Sequence, residues 1–152
     1  MSKIDGVHVV PLRRIVDDRG AVSLMLKATD PYFAGFAELY FSSVYSGVVK
    51  AWKSHRRMTV HYACMLGRVK LALWDDRDGS PTRGVVMQEF LGPVDYKLVV
   101  IPPRIWHGFQ GQDDPVSIVA NCATEISDPE ELDRLEPRSR SIPFDWDATD
   151  TP

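Results

Sequence analysis

Lys53, His55 and His107 are the side chains of this sequence best suited to moving protons. Lys53 and His55 lie two apart in an alternating segment that starts at Gly47. Strand side chains repeat with a period of two, so both groups project from one face, about 6–7 Å apart. His107 follows the proline-rich turn that begins at Ile101, and Gly108 and Phe109 come directly after it. An imidazole near its ordinary pKa is a usable base at neutral pH. An ammonium beside it is a cation able to stabilise negative charge in such a pocket. The set suggests a pocket whose polar, titratable groups meet a ligand. No CxxC or His/Cys cluster suggests zinc, and neither a metal nor an organic cofactor is expected.

The elements that position these groups are strands. Short β-rich runs between turn signals cover residues 8–12, 21–26, 37–44, 48–55, 58–66, 68–74, 85–91, 97–101 and 116–124. Many short strands with little helix argue for an all-β sandwich or barrel. Val69, Leu71 and Leu73 share one face of their strand, and Lys70, Ala72 and Trp74 the other. Asp17-Asp18-Arg19-Gly20, Asp78-Gly79-Ser80-Pro81 and Gly92-Pro93 supply turn chemistry. One short C-terminal helix is expected, with Asp128 as N-cap, Pro129 in its first position, Glu130, Glu131 and Asp133 near its positive end, and a stop by Pro137. Phe144 and Trp146 are anchors that dock the segment after it. The expected organisation is a single domain over residues 1–146 and a flexible tail over 147–152.

The chain has 152 residues, 44% hydrophobic and 26% charged, with a net charge of −3 in which both signs are interspersed. That composition fits one soluble domain and leaves no electrostatic footprint for nucleic acid. No apolar run approaches the roughly 20 residues that span a bilayer, and no signal-peptide pattern opens the sequence, so a cytoplasmic location without membrane partners is expected. Cys64 and Cys122 read as reduced, buried thiols.

Gly47, Lys53, His55, Val60 and Gly67 keep the spacing of a cupin motif, with Lys and Val in place of two of its metal ligands. A closer resemblance emerges from Arg19-Gly20, Gly47-Val-Val-Lys50, the stretch from Gly67 to Thr82, Ile101-Pro-Pro and His107-Gly-Phe, read in order. From about Leu12 to Trp146 the chain resembles the dTDP-4-dehydrorhamnose 3,5-epimerases, jelly-roll enzymes of nucleotide-sugar pathways. The resemblance implies a cupin jelly roll, a nucleotide-sugar substrate and a homodimer in which a strand of one subunit helps complete its partner's site. It implies that Arg19 is a phosphate-binding residue, that Lys50 replaces a family Arg, and that His107 lines the sugar end of the pocket.

Three positions depart from the family. Lys53 stands where it has its base His, Asn121 where it has its proton-donating Tyr, and Val60 near its active-site Lys. The expected assignment therefore makes His55 the base, Lys53 the enolate-holding cation and His107 a pocket ligand or second proton carrier. Arg19, Lys50, Asn121 and Tyr62 bind substrate. His61 reads as an outer-face residue, Tyr40 and Trp52 as core or interface, and Asp75 as part of a turn network able to orient a basic partner in the site. Epimerisation of a dTDP-4-keto-6-deoxyhexose or similar ketone is the expected reaction. The alternatives are a 3,4-ketoisomerisation of the same substrate class, or a cupin without epimerase activity that binds a sugar nucleotide or acts on a natural-product intermediate.

Overall fold

The computed structural model describes residues 3–148. Its strands are β1 (His8–Pro11), β2 (Arg14–Asp17), β3 (Gly20–Ser23), β4 (Glu38–Tyr45), β5 (Val49–His55), β6 (Val60–Leu66), β7 (Val69–Asp75), β8 (Val86–Leu91), β9 (Lys97–Ile101), β10 (Ile105–Gly111), β11 (Val116–Ala123) and β12 (Leu132–Arg134). Two antiparallel five-stranded sheets face each other, in the orders β1-β9-β6-β11-β4 and β12-β5-β10-β7-β8, with β2–β3 a separate hairpin. From β4 onward nearly every connection carries the chain from one sheet to the other, which is the jelly-roll path. Among the described residues no helix is long and apolar enough to cross a membrane.

Alternation explains the core. Val44, Val60, Tyr62 and Cys64 point inward from the first sheet and meet Val69, Leu71, Leu73, Ile105 and Phe109 of the second, all almost fully buried. Each such aliphatic side chain contributes about 1.5–3 kcal/mol relative to exposure. The opposite face of β7 is also covered, because the C-terminal segment lies across the outside of the second sheet. Trp146 packs on Trp52 with ring centroids 5.1 Å apart and on Phe144 at 4.7 Å, so both expected anchors dock. Asp147 pairs with Arg138, while residues 149–152 of the expected tail lie outside the described residues. Both cysteines are free and buried.

The expected helix is a single 3-10 turn, Pro129–Glu131. Its start is as read, since the Asp128 side chain accepts from the Glu130 amide. It stops because the next residues pair with β5, Leu132 opposite His55 and Arg134 opposite Lys53. Local capping signals are real here, but a long-range strand pairing overrides their continuation. The run from Ile105 to Gly111 is a strand in the middle of its sheet rather than the end of a turn.

One irregularity in β5 shapes the site. His107 lies opposite Lys53 and Phe109 opposite Lys50, so a two-residue step on β10 matches a three-residue step on β5. The extra residue is a β-bulge that turns both Ala51 and Trp52 toward the outer cluster and leaves Lys50 and Lys53 on the inner side. Gly108 makes room for it. A Cβ there would lie 2.3 Å from Ala51 Cβ and 2.9 Å from the Lys50 carbonyl oxygen. The glycine after His107 is thus an architectural requirement of the neighbouring strand.

Candidate active site

The open edge between β4 of the first sheet and β5–β12 of the second holds two adjoining clefts. One, of about 400 Å³, is lined by Ser42, Lys50, Lys53, Phe109 and Arg134 among others. The second, of about 190 Å³, is lined by Tyr40, Lys53, His55, Met58, Leu132 and Arg134 among others. Lys53 and Arg134 belong to both. A larger cavity, about 640 Å³, lies beside Arg68, Lys70, Phe90 and Trp146. It contains no histidine, Lys70 donates to the Trp146 carbonyl, and Arg68 lies over the Phe90 ring. His55, Lys53 and Arg134 line the smaller clefts.

His55 sits at the end of β5 with its ring almost wholly buried. Its Nδ1 meets Oε1 of Glu131, which the 3-10 turn delivers beneath it. The other carboxylate oxygen accepts from the backbone amides of Arg57 (3.0 Å) and Met58 (3.3 Å). Burial alone would raise the Glu131 carboxyl, but the hydrogen bonds from His55 and these amides hold it below its usual value. An ionised Glu131 accepts only, so His55 carries its proton on Nδ1 and presents a lone pair at Nε2. That Nε2 is buried and has no hydrogen-bond partner among the described residues. Burial lowers the His55 pKa, Glu131 works against it, and Lys53 and Arg134 lower it further, leaving a net depression from 6.5. The imidazole is neutral at pH 7 and held in the tautomer of a base.

Three cations line the neighbouring walls. Lys50 donates to Ser42 Oγ at 2.7 Å and to the Ser43 carbonyl at 3.1 Å, and its pKa is lowered by burial and by Lys53. Lys53 and Arg134 face each other across the β5–β12 pairing, and neither has a carboxylate at ion-pair distance among the described residues. A concentration of positive charge without carboxylate partners fits an anionic ligand.

His107 and Tyr62, both expected to touch substrate, lie behind this surface and line neither cleft. The Tyr62 hydroxyl meets His107 Nε2 at 3.2 Å, and His107 Nδ1 donates to the Ile105 carbonyl at 3.1 Å. Both ring nitrogens are engaged, and burial, then Lys53 and His55, depress the His107 pKa well below 6.5. The pair is a neutral wall that supports the His55 ring, stacked at 5.9 Å. Asn121 is buried too. Its Oδ1 accepts from the His61 amide at 3.0 Å and its Nδ2 donates to the Tyr40 hydroxyl at 2.9 Å. Arg19 projects from the β2–β3 turn, its side chain 85% exposed and paired with Asp17, and it lines neither cleft of its own chain. His61 lies on the outer face as expected, but fully buried, clamped between the Ala34 amide and the Cys122 carbonyl. Asp75 is buried in a turn network and orients nothing in the clefts.

The sequence reading missed Glu131, Arg134 and Tyr40 as site residues. Glu131 was accounted for by helix-dipole logic. The signal able to reveal it is that a helix start followed by Leu-x-Arg can also lead into a strand. Among the described residues no group of three or more His, Cys, Asp or Glu side chains is placed to hold a metal ion.

A jelly-roll barrel with a carboxylate-oriented histidine and unpaired cations at its mouth defines the class of cupin-type acid–base sites. The family profile described as dTDP-4-dehydrorhamnose 3,5-epimerase matches residues 1–151, and the chain belongs to that family. It is 34% identical over 147 residues to the "Probable low-salt glycan biosynthesis epimerase Agl13" of Haloferax volcanii, covering 95% of this chain and 91% of that protein. It is 26% identical to the spore coat polysaccharide biosynthesis protein SpsL of Bacillus subtilis, covering 95% and 97%. The crystal structure of a dTDP sugar isomerase from Desulfovibrio desulfuricans superposes with a TM-score of 0.94 at 38% identity, covering 99% of this chain and 96% of that one.

Proposed function

We propose that this chain interconverts epimers of a dTDP-4-keto-6-deoxyhexose by proton transfer beside the ketone. The observation that carries the reading is the buried Glu131 on His55 Nδ1, which leaves an unpartnered Nε2 on a histidine that lines a cleft together with an unpaired lysine. His55 Nε2 takes the proton from the carbon flanking the ketone. The electrons of that C–H bond form the enolate, whose oxygen Lys53 holds. Lys50 and Arg134 provide charge for the diphosphate. A sugar-nucleotide substrate also agrees with the dTDP sugar isomerase to which the chain is similar.

A homodimer fits the surface that one chain leaves uncovered. Leu39, Phe41 and Tyr45 of the edge strand β4 are 53%, 64% and 70% exposed, and Val16 and Val22 of the β2–β3 hairpin are comparably bare. A hairpin docked on a second copy would bring Arg19 to a site it does not reach in its own chain. The two free cysteines agree with a cytoplasmic location. The test is incubation of the protein with dTDP-4-keto-6-deoxyglucose in deuterated water, followed by proton NMR. Deuterium should enter at a carbon beside the ketone; binding without exchange contradicts the reading.

A further inference from the structure

We propose that Tyr40 is the catalytic acid that returns a proton to the substrate carbon from the side opposite His55, and that Asn121 is the positioning residue that aims its hydroxyl. The inference rests on the proposed function, because inversion needs a donor across from the base. The two walls of the cleft are distinct. His55, Lys53 and Arg134 come from β5 and β12 at the edge of one sheet, and Tyr40 comes from β4 at the edge of the other. The Lys50–Ser42 hydrogen bond shows that these edges face each other directly.

The remaining lining residues do not supply that acid. Lys53 stands on the strand that carries His55 and projects from the same wall. An arginine does not give up its proton usefully. The Asp128 side chain caps the turn and pairs with Arg57. Met58, Pro129 and Leu132 have no acidic proton, and the hydroxyl of Ser127 is committed to Glu38.

Asn121 and Tyr40 are cross-strand partners in the β11–β4 pairing. The His61 amide requires an acceptor, which fixes Asn121 Oδ1 toward it and turns Nδ2 to the Tyr40 oxygen. With that oxygen accepting, the phenolic proton is left to point elsewhere, and the cleft is where Tyr40 meets open space. Burial keeps the phenol protonated at neutral pH, while Lys53 and the Asn121 N–H stabilise the phenolate formed when it donates.

The step balances. One proton passes from carbon to His55 Nε2, and one passes from the Tyr40 oxygen to the same carbon on its other face. The electron pair of the broken O–H bond stays on the phenolate, and exchange with water then resets imidazolium and phenolate.

The experiment follows dTDP-4-keto-6-deoxyglucose in deuterated water by NMR, scoring exchange and inversion separately, with dTDP binding as a check on the fold. In Tyr40→Phe, exchange with retention should stay within about 3-fold of wild type, because His55 can return a deuteron to the face it took from, while inversion falls about 100-fold. Asn121→Ala should lower the ratio of inversion to exchange about 10-fold, whereas loss of a merely structural residue would lower both together. Inversion at the wild-type rate in Tyr40→Phe overturns the assignment, as does wild-type protein that exchanges without inverting. Wild-type protein that exchanges nothing overturns the proposed function itself.

Discussion

Asp75 and Glu131 are both carboxylates with almost no solvent exposure, placed at turns, and they have opposite uses. Asp75 accepts from the Arg77 amide, Nε and Nη2, from Ser80 Oγ at 2.6 Å and from Thr82 Oγ1 at 2.7 Å. Arg77 in turn donates to the Asp5 carbonyl, tying the N-terminal segment to the same turn. Burial would raise the Asp75 carboxyl, but these donors outweigh it and hold the group far below the usual carboxylate range. Every lone pair is used inside the loop. Glu131 spends one oxygen on two backbone amides and the other on His55, whose second nitrogen is left over. The Asp-x-Arg-x-x-Ser-Pro-Thr run is the more conspicuous in sequence, and it is a staple. The plainer Asp-Pro-Glu-Glu run carries the carboxylate that meets His55, the base of the proposed reaction.

The contrast predicts a separation of activity from stability. Glu131→Gln keeps an oxygen for the Arg57 and Met58 amides but offers an N–H to His55 Nδ1. That forces the proton onto Nε2 and removes its lone pair, so exchange should fall about 10³-fold while binding of dTDP persists. Asp75→Asn should do the reverse. It strands Arg77 and weakens the turn, costing about 3 kcal/mol in denaturant unfolding, with exchange measured well below the melting temperature changed by no more than about 2-fold. Gly108→Ala is the intermediate case. Its Cβ cannot fit against Ala51, so a cost of about 2 kcal/mol is expected, together with weakened exchange as the β5 bulge shifts Lys53.

The smallest effect is a pH dependence of stability near neutrality, a window well above the one in which Asp75 titrates. His55 and His107 are both held below 6.5 by burial. As pH falls below 6.5 the unfolded chain takes up protons that the folded chain refuses, so stability declines on that side and gains nothing from these groups above it. Thermal unfolding between about pH 5 and pH 8 checks the sign. A melting temperature that rises on acidification through this window would contradict the burial of two neutral imidazoles.

Much of the scaffold was legible because it follows period-two alternation. The runs forming β4 to β9 and β11 were readable within a residue or two, as was the common face of Lys53 and His55. What escaped was nonlocal. β10 contains Gly108 and follows two prolines, so it resembled a turn, yet that glycine answers to a bulge on another strand. The same bulge breaks parity, which is why Lys50 and Lys53, three apart, share the inner side. Arg134 gave no signal of its own, since β12 exists only by pairing with β5. Tyr40 read as core or interface because nothing local shows that its strand ends a sheet.

The most direct test of the His55–Glu131 base is the rate of deuterium entry beside the ketone of dTDP-4-keto-6-deoxyglucose in His55→Asn, measured against wild type at neutral pH. The account predicts a fall of at least about 100-fold with dTDP still bound. Exchange at the wild-type rate in that variant would show that another group removes the proton.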